Sequence, residues 1–136
     1  MSSLDIEKID RKTCEDAMQL IRLYYEVIDR RRERLGFMYA EGASLVWNGN
    51  SVNGSQAIGK FLTEIPDTQH EVISVDVQRF SPLAAAPFGG DAMTALIAGG
   101  VIIDGIYHSF TQSMLLMRDP LSEKSMILSD RFRYVD

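Results

Sequence analysis

Arg131 and Arg133 stand two residues apart in the run Ser-Met-Ile-Leu-Ser-Asp-Arg-Phe-Arg-Tyr-Val that spans 125–135. At strand spacing both guanidinium groups fall on one side with Ile127, Ser129 and Val135. Met126, Leu128, Asp130, Phe132 and Tyr134 take the other side. A face that mixes Ile, Ser, Val and two Arg suits neither a core nor an ordinary solvated surface. Arg presents a planar fork to a carboxylate, so the chemistry such a face can do is charge-assisted docking of another protein. The stretch 69–80 has a matching mixed phase in His70, Val72, Ser74, Asp76 and Gln78. Other reactive side chains are sparse. Trp47, beside Asn48-Gly49, is either core or a pocket wall. Asp104, at a strand end, is either a solvated acid or a desolvated base. His70 and His108 have no cysteine or second histidine at ligand spacing, so neither metal nor cofactor is expected. Arg30-Arg31-Arg32-Glu33-Arg34 is the one cluster that suggests RNA. Cations at a helix C-terminus also answer the macrodipole, which accounts for it without a ligand.

The elements that must position these groups follow from periodicity. The chain has 136 residues, 46% of them hydrophobic, and a formal net charge of −5, which fits one domain over 1–136 and no overall affinity for nucleic acid. The start lacks a basic and apolar leader, no apolar run approaches a membrane span, and Cys14 stands alone, so an intracellular, soluble protein is expected. Apolar residues at Ile6, Ile9, Ala17, Ile21, Tyr24 and Ile28 predict a helix over 5–34 that stops at Gly36. A short helical turn from Phe37 to Gly42 should follow. Asn48-Gly49 behind Leu45-Val46-Trp47 predicts a type I′ hairpin. Asn53-Gly54-Ser55 predicts entry into a helix ending at Pro66, with Ser55 or Asn53 as the cap. Strands are expected at 69–80, 93–104, 107–117 and 124–135, with a loop at 81–91. Gly99-Gly100 inside a strand implies a bulge or sharp bend. Helices first and then successive antiparallel strands give an α+β fold, a strongly curved, mainly antiparallel sheet holding helices in a cone.

Tyr24-Tyr25, Leu45-Val46-Trp47-Asn48-Gly49-Asn50, Gln69-His70 with Asp76-x-Gln78, Phe110-x-Gln112 and Ser129-Asp130-Arg131-Phe132-Arg133 occur in the order found in the nuclear transport factor 2 family. The chain resembles that family over about residues 15–135. The Trp-Asn-Gly-Asn turn and the arginine-rich helix end resemble its export branch. The resemblance implies a cone whose outer sheet face dimerises, here with the large subunit of a heterodimeric mRNA export receptor. Arg133, Arg131, Ser129, Ile127, His70, Asp76 and Gln78 would bind that partner, and Trp47, Asn48 and Asp104 would line the cone pocket. It further implies Phe-Gly nucleoporins met through the complex, RNA met only indirectly, and residence at the nucleus and nuclear pore. The import branch carries a carboxylate after the tryptophan and a pair of acids to hold a GDP-bound Ran-type GTPase. Asn48 replaces the first and only Asp104 answers the pair, which leaves homodimeric import as the alternative. The acid/base pair of the isomerases and dehydratases that share this cone is not evident, so a non-enzymatic binding subunit is expected.

Overall fold

Ser2 opens the first helix: its hydroxyl accepts the Asp5 amide while the Asp5 carboxylate answers the Ser2 amide, a reciprocal cap that satisfies two orphan donors. The computed structural model describes residues 2–119 and 121–136. Helix α1 runs Ser3–Arg30 and buries Ala17, Ile21, Tyr24 and Ile28 of the expected stripe together with Tyr25 and Val27, whereas Ile6 is exposed and Ile9 half-buried. It ends before Gly36. Arg31 caps it, and a tighter 3-10 segment, Arg32–Met38, replaces both the last expected turn and the short helix expected up to Gly42. Arg32 holds this corner. Its guanidinium donates to the carbonyls of Ile28, Ile65 and Pro66 and to the Thr68 hydroxyl, so it serves the carbonyl ends of two helices at once.

Strand β1 (Tyr39–Trp47) turns through Asn48 and Gly49, with φ of 46° and 88°, into β2 (Asn50–Asn53). Positive φ at both positions is the type I′ geometry. Gly54 then caps α2 (Ser55–Glu64) at φ 92° with no side-chain bond, so neither Ser55 nor Asn53 supplies the expected cap oxygen. Strand β3 (Thr68–Arg79) is followed by a short helix α3 (Pro82–Ala85) and a 3-10 turn (Ala86–Phe88) where a plain loop is expected. Strands β4 (Ala92–Ile103), β5 (Ile106–Arg118) and β6 (Ser125–Tyr134) complete the chain.

The six strands form one sheet in the order β2-β1-β6-β5-β4-β3, with β1 parallel to β6 and every other pair antiparallel. Its concave face and the two longer helices share one core, from Ile21 and Ile28 through Ile58 and Leu62 to Ile97, Phe110 and Phe132. The register breaks between Tyr39 and Ser44 of β1 where it pairs with β6, and two further bulges lie in β3 and β6. One lies in β3 between Val72 and Ser74, opposite Gly99. A Cβ on Gly99 would collide with the Glu71 carbonyl, so only glycine lets β3 and β4 approach there. The other bulge inserts Leu128 into β6, since Leu116 faces Ile127 while Leu115 faces Ser129. Each extra residue reverses which side chains point inward.

Candidate functional site

The strand residues have two destinations, and the concave side is closed. Asp130 is 1% exposed and both of its carboxylate oxygens are engaged: the Tyr39 hydroxyl donates at 2.6 Å and the Gln112 amide at 2.8 Å. The Gln112 carbonyl in turn accepts the Tyr25 hydroxyl at 2.6 Å, and its amide nitrogen reaches the Tyr24 hydroxyl at 3.3 Å. Burial lifts the Asp130 carboxyl to about 6, while the hydrogen bonds from Tyr39, Gln112 and Tyr24 pull it the other way. Burial likewise pushes all three tyrosine hydroxyls up, so they stay protonated as donors.

His70 belongs to this interior. Sequence reasoning put it on the partner face, but it precedes the β3 bulge, so its phase is opposite to that of Ser74, Asp76 and Gln78. Its side chain is 1% exposed and packs on Tyr25 and Phe110, with Nδ1 2.6 Å from Asp29 Oδ1. Burial pushes the Asp29 carboxyl up, but bonds from the His70 ring, the His70 amide and Thr68 outweigh it and hold the group below its usual value. Facing an ionised carboxylate, Nδ1 must be the protonated, donating nitrogen. Ile127 needs the same correction. The Leu128 bulge turns it into the core, where it is fully buried.

The expected pocket trio separates. Trp47 is core, stacked on Phe132 at 3.9 Å and 8° and edge-on to Phe61. Asn48 is exposed in its turn, its side-chain oxygen accepting the Tyr134 amide and its own amide donating to the Phe132 carbonyl. Asp104 is exposed at φ 53° in the turn between β4 and β5. It ends a strand and faces solvent.

The outer face keeps the rest together. The register aligns Asp76, Leu96, Ser113, Arg131 and Val46 in one row across five strands. A second row runs Ser74, Ala98, Thr111, Arg133, and a third Gln78, Thr94, Leu115, Ser129. Arg131 and Arg133 are exposed and make no ion pair among the described residues. With Asp76, Ser74 and Leu96 they line a groove of about 370 Å³. Small residues at Ala98, Thr111 and Ser113 leave this hollow between the arginines and the acid. Leu96 is 60% exposed and sits beside it, and Ile73, Ile102 and Tyr107 are exposed on the same three strands. Sequence reasoning missed Leu96, although its phase with Thr94 and Ala98 was available. An apolar centre with unpaired guanidinium groups at one side and a carboxylate at the other is equipped to bury a second protein surface.

Comparison with known proteins places this geometry among relatives. Residues 17–134 match the family model described as the nuclear transport factor 2 (NTF2) domain. The chain is 39% identical over 133 residues to an NTF2-related export protein of Caenorhabditis elegans, covering 97% of this chain and 95% of the relative. Nuclear transport factor 2 from Cryptosporidium parvum superposes with a TM-score of 0.76 at 23% identity, covering 93% of this chain and 97% of the other. A chain from the Candida albicans Mtr2–Mex67 M domain complex superposes with a TM-score of 0.70 at 10% identity, covering 91% and 96%.

Proposed function

We propose, from the premise that this chain belongs to the nuclear transport factor 2 domain family, that it is the small, non-enzymatic subunit of a heterodimeric mRNA export receptor. The observation that carries this reading is the outer face: exposed Leu96 beside two unpaired arginines, rowed across the sheet with Asp76. A large subunit with a related cone domain would cover it and present a carboxylate to Arg133. Such a contact converts an exposed guanidinium into a charge-assisted hydrogen bond in a drying interface. A twofold self-dimer would instead bring like charges near their own copies, at a cost of up to several kcal/mol. The relatives named as export proteins support the same assignment. By stabilising its partner, the subunit would support the engagement of Phe-Gly nucleoporins by the complex as it shuttles between nucleus and cytoplasm.

A binding role also suits the interior. A general base must reach its substrate's proton, and Asp130 is sealed with both oxygens occupied. Asn48, which stands where the import branch has a carboxylate, spends its side-chain oxygen on the Tyr134 amide. That supports export over carriage of a GDP-bound GTPase. Expression with and without a candidate large subunit tests the reading. A stable 1:1 complex by light scattering, with poor recovery of the lone chain, is the expected result. A well-behaved homodimer that ignores the large subunit and retains a GDP-bound Ran-type GTPase would replace it with the import reading.

A further inference from the structure

The arginine cluster divides once the fold is in view. Arg32 alone does the work that a helix C-terminus asks of a cation, donating to the carbonyls of Ile28, Ile65 and Pro66. Arg30, Arg31 and Arg34 are exposed and have no carboxylate partner among the described residues. The Arg34 amide donates to the Arg31 carbonyl at 2.9 Å, which begins the 3-10 segment. Residues three apart eclipse one another in a 3-10 helix. Arg34 and Phe37 therefore share one side of the segment, with Arg31 at the cap before it, and Phe37 is 73% exposed. Beside it lies a groove of about 500 Å³ between this segment and α2, lined by Gly36, Phe37, Gln56, Gly59, Lys60 and also Glu33. The groove is shallow-floored because two glycine backbones meet there: a Cβ on Gly59 would stand 3.2 Å from the Gly36 Cα.

From this arrangement we infer that the Arg30–Phe37 stretch and its groove form a contact for single-stranded nucleic acid, distinct from the outer sheet face and beyond the dimerisation role. Three exposed guanidinium groups within five residues offer charge to backbone phosphates, and the chain's acidic remainder confines that attraction to this corner. An exposed aromatic ring next to a groove floored by backbone is a stacking platform for a base. Glu33 repels a phosphate from the groove itself but accepts from a base N–H, so the base enters the groove and the backbone follows the arginines. An acidic peptide would use the arginines equally well and would leave Phe37 without a role, which is why a polynucleotide is the occupant.

Fluorescence anisotropy with a labelled oligouridylate, titrated with the full chain at several salt concentrations, tests this. Variants are compared within the same assembly as the unaltered protein. With three phosphate contacts on a single strand, log affinity should fall against log salt with a slope of about −2. Arg31→Glu with Arg34→Glu should cost about tenfold or more at low salt and flatten that slope. Phe37→Ala should cost about fivefold or more and leave the slope unchanged. Lys8→Glu, exposed at the opposite end of α1, should leave binding unaltered, and assembly read by light scattering on the same samples separates this contact from the dimerisation reading. Absence of binding at low salt would overturn the inference. So would an equal loss from the Lys8→Glu variant, or displacement by polyglutamate together with indifference to Phe37→Ala.

Discussion

Strands β5 and β6 carry polar side chains on both faces, and the two faces treat them oppositely. Inside, Gln112 and Asp130 answer each other and three tyrosines, and Asp130 has both oxygens engaged. Outside, one residue further along the same strands, Thr111, Ser113, Arg131 and Arg133 stand in ladder register, and the arginines have no charged partner among the described residues. A polar group with all its bonds made belongs to the fold. A rigidly placed polar group left unmade, beside exposed Leu96, is held for something else.

Substitutions on the two faces should therefore fail in different assays. Gln112→Ala strips Asp130 and Tyr25 of partners in a sealed core, and a loss of about 3–5 kcal/mol in denaturant unfolding is expected, dimerisation aside. If that loss is below about 1 kcal/mol, the interior network is not what holds this fold. Arg133→Asp should leave the unfolding free energy within about 0.5 kcal/mol. It should weaken the heterodimer by about 3 kcal/mol in calorimetry, with partial recovery when the facing acid is changed to lysine. Unchanged heterodimer affinity would move the partner surface elsewhere.

The interior should also respond to pH where the outer arginines cannot. The Asp130 carboxyl stands at about 6 in the fold, raised by burial from an unfolded value near 4. A raised carboxyl stabilises most in its protonated form. Its contribution is complete below about pH 4 and is lost as pH rises through about 6, by roughly 2–3 kcal/mol. Asp130→Asn should remove that slope from stability measured between pH 4.5 and 7.5; an unaltered slope would assign it to another group. Asp29 works with the opposite sign, since its lowered value gives stability that fades as pH falls below the ordinary carboxylate range. The smallest effects belong to the turns that both faces share. Gly49→Val and Gly54→Val each force a β-branched residue to φ near 90° and should each cost about 1–3 kcal/mol by thermal unfolding. A negligible loss at Gly54 would mean that α2 can begin without it.

Much of the architecture was legible because alternation and turn chemistry are local. Asn48-Gly49, the Gly99-Gly100 bend and the α1 stripe each announce themselves within a few residues. The two residues misplaced from the outer face share one physical cause. A bulge adds a single residue that no local pattern marks, and everything beyond it changes side, which misplaced Ile127 in β6 and His70 in β3. The arginine cluster failed for a different reason. Four identical side chains within five residues differ only in what lies across space, and Arg32 finds Ile65, Pro66 and Thr68 more than 30 positions away. Asp130 was placed in phase with Phe132, and both are buried. The Asp130 partner Tyr39 lies 91 residues earlier, a separation no spacing rule spans.

The parallel pairing of β1 with β6 also dictates a schedule. β1 ends at Trp47, yet its sheet neighbour along Ser44–Trp47 is the stretch Ser129–Phe132, emerging from the ribosome more than 80 residues later. Until then the β1–β2 hairpin has no strand to join it to β5, β4 and β3, and Tyr39 and Trp47 lack Asp130 and Phe132. Contacts so distant in sequence make folding slow, on the scale of milliseconds to seconds, and leave it unfinished on any truncated chain. Since β6 also bears Arg131 and Arg133, the strand that completes the core is the one that presents the proposed handhold for a partner. A nascent chain cannot offer that handhold in its proper place before its own interior has closed.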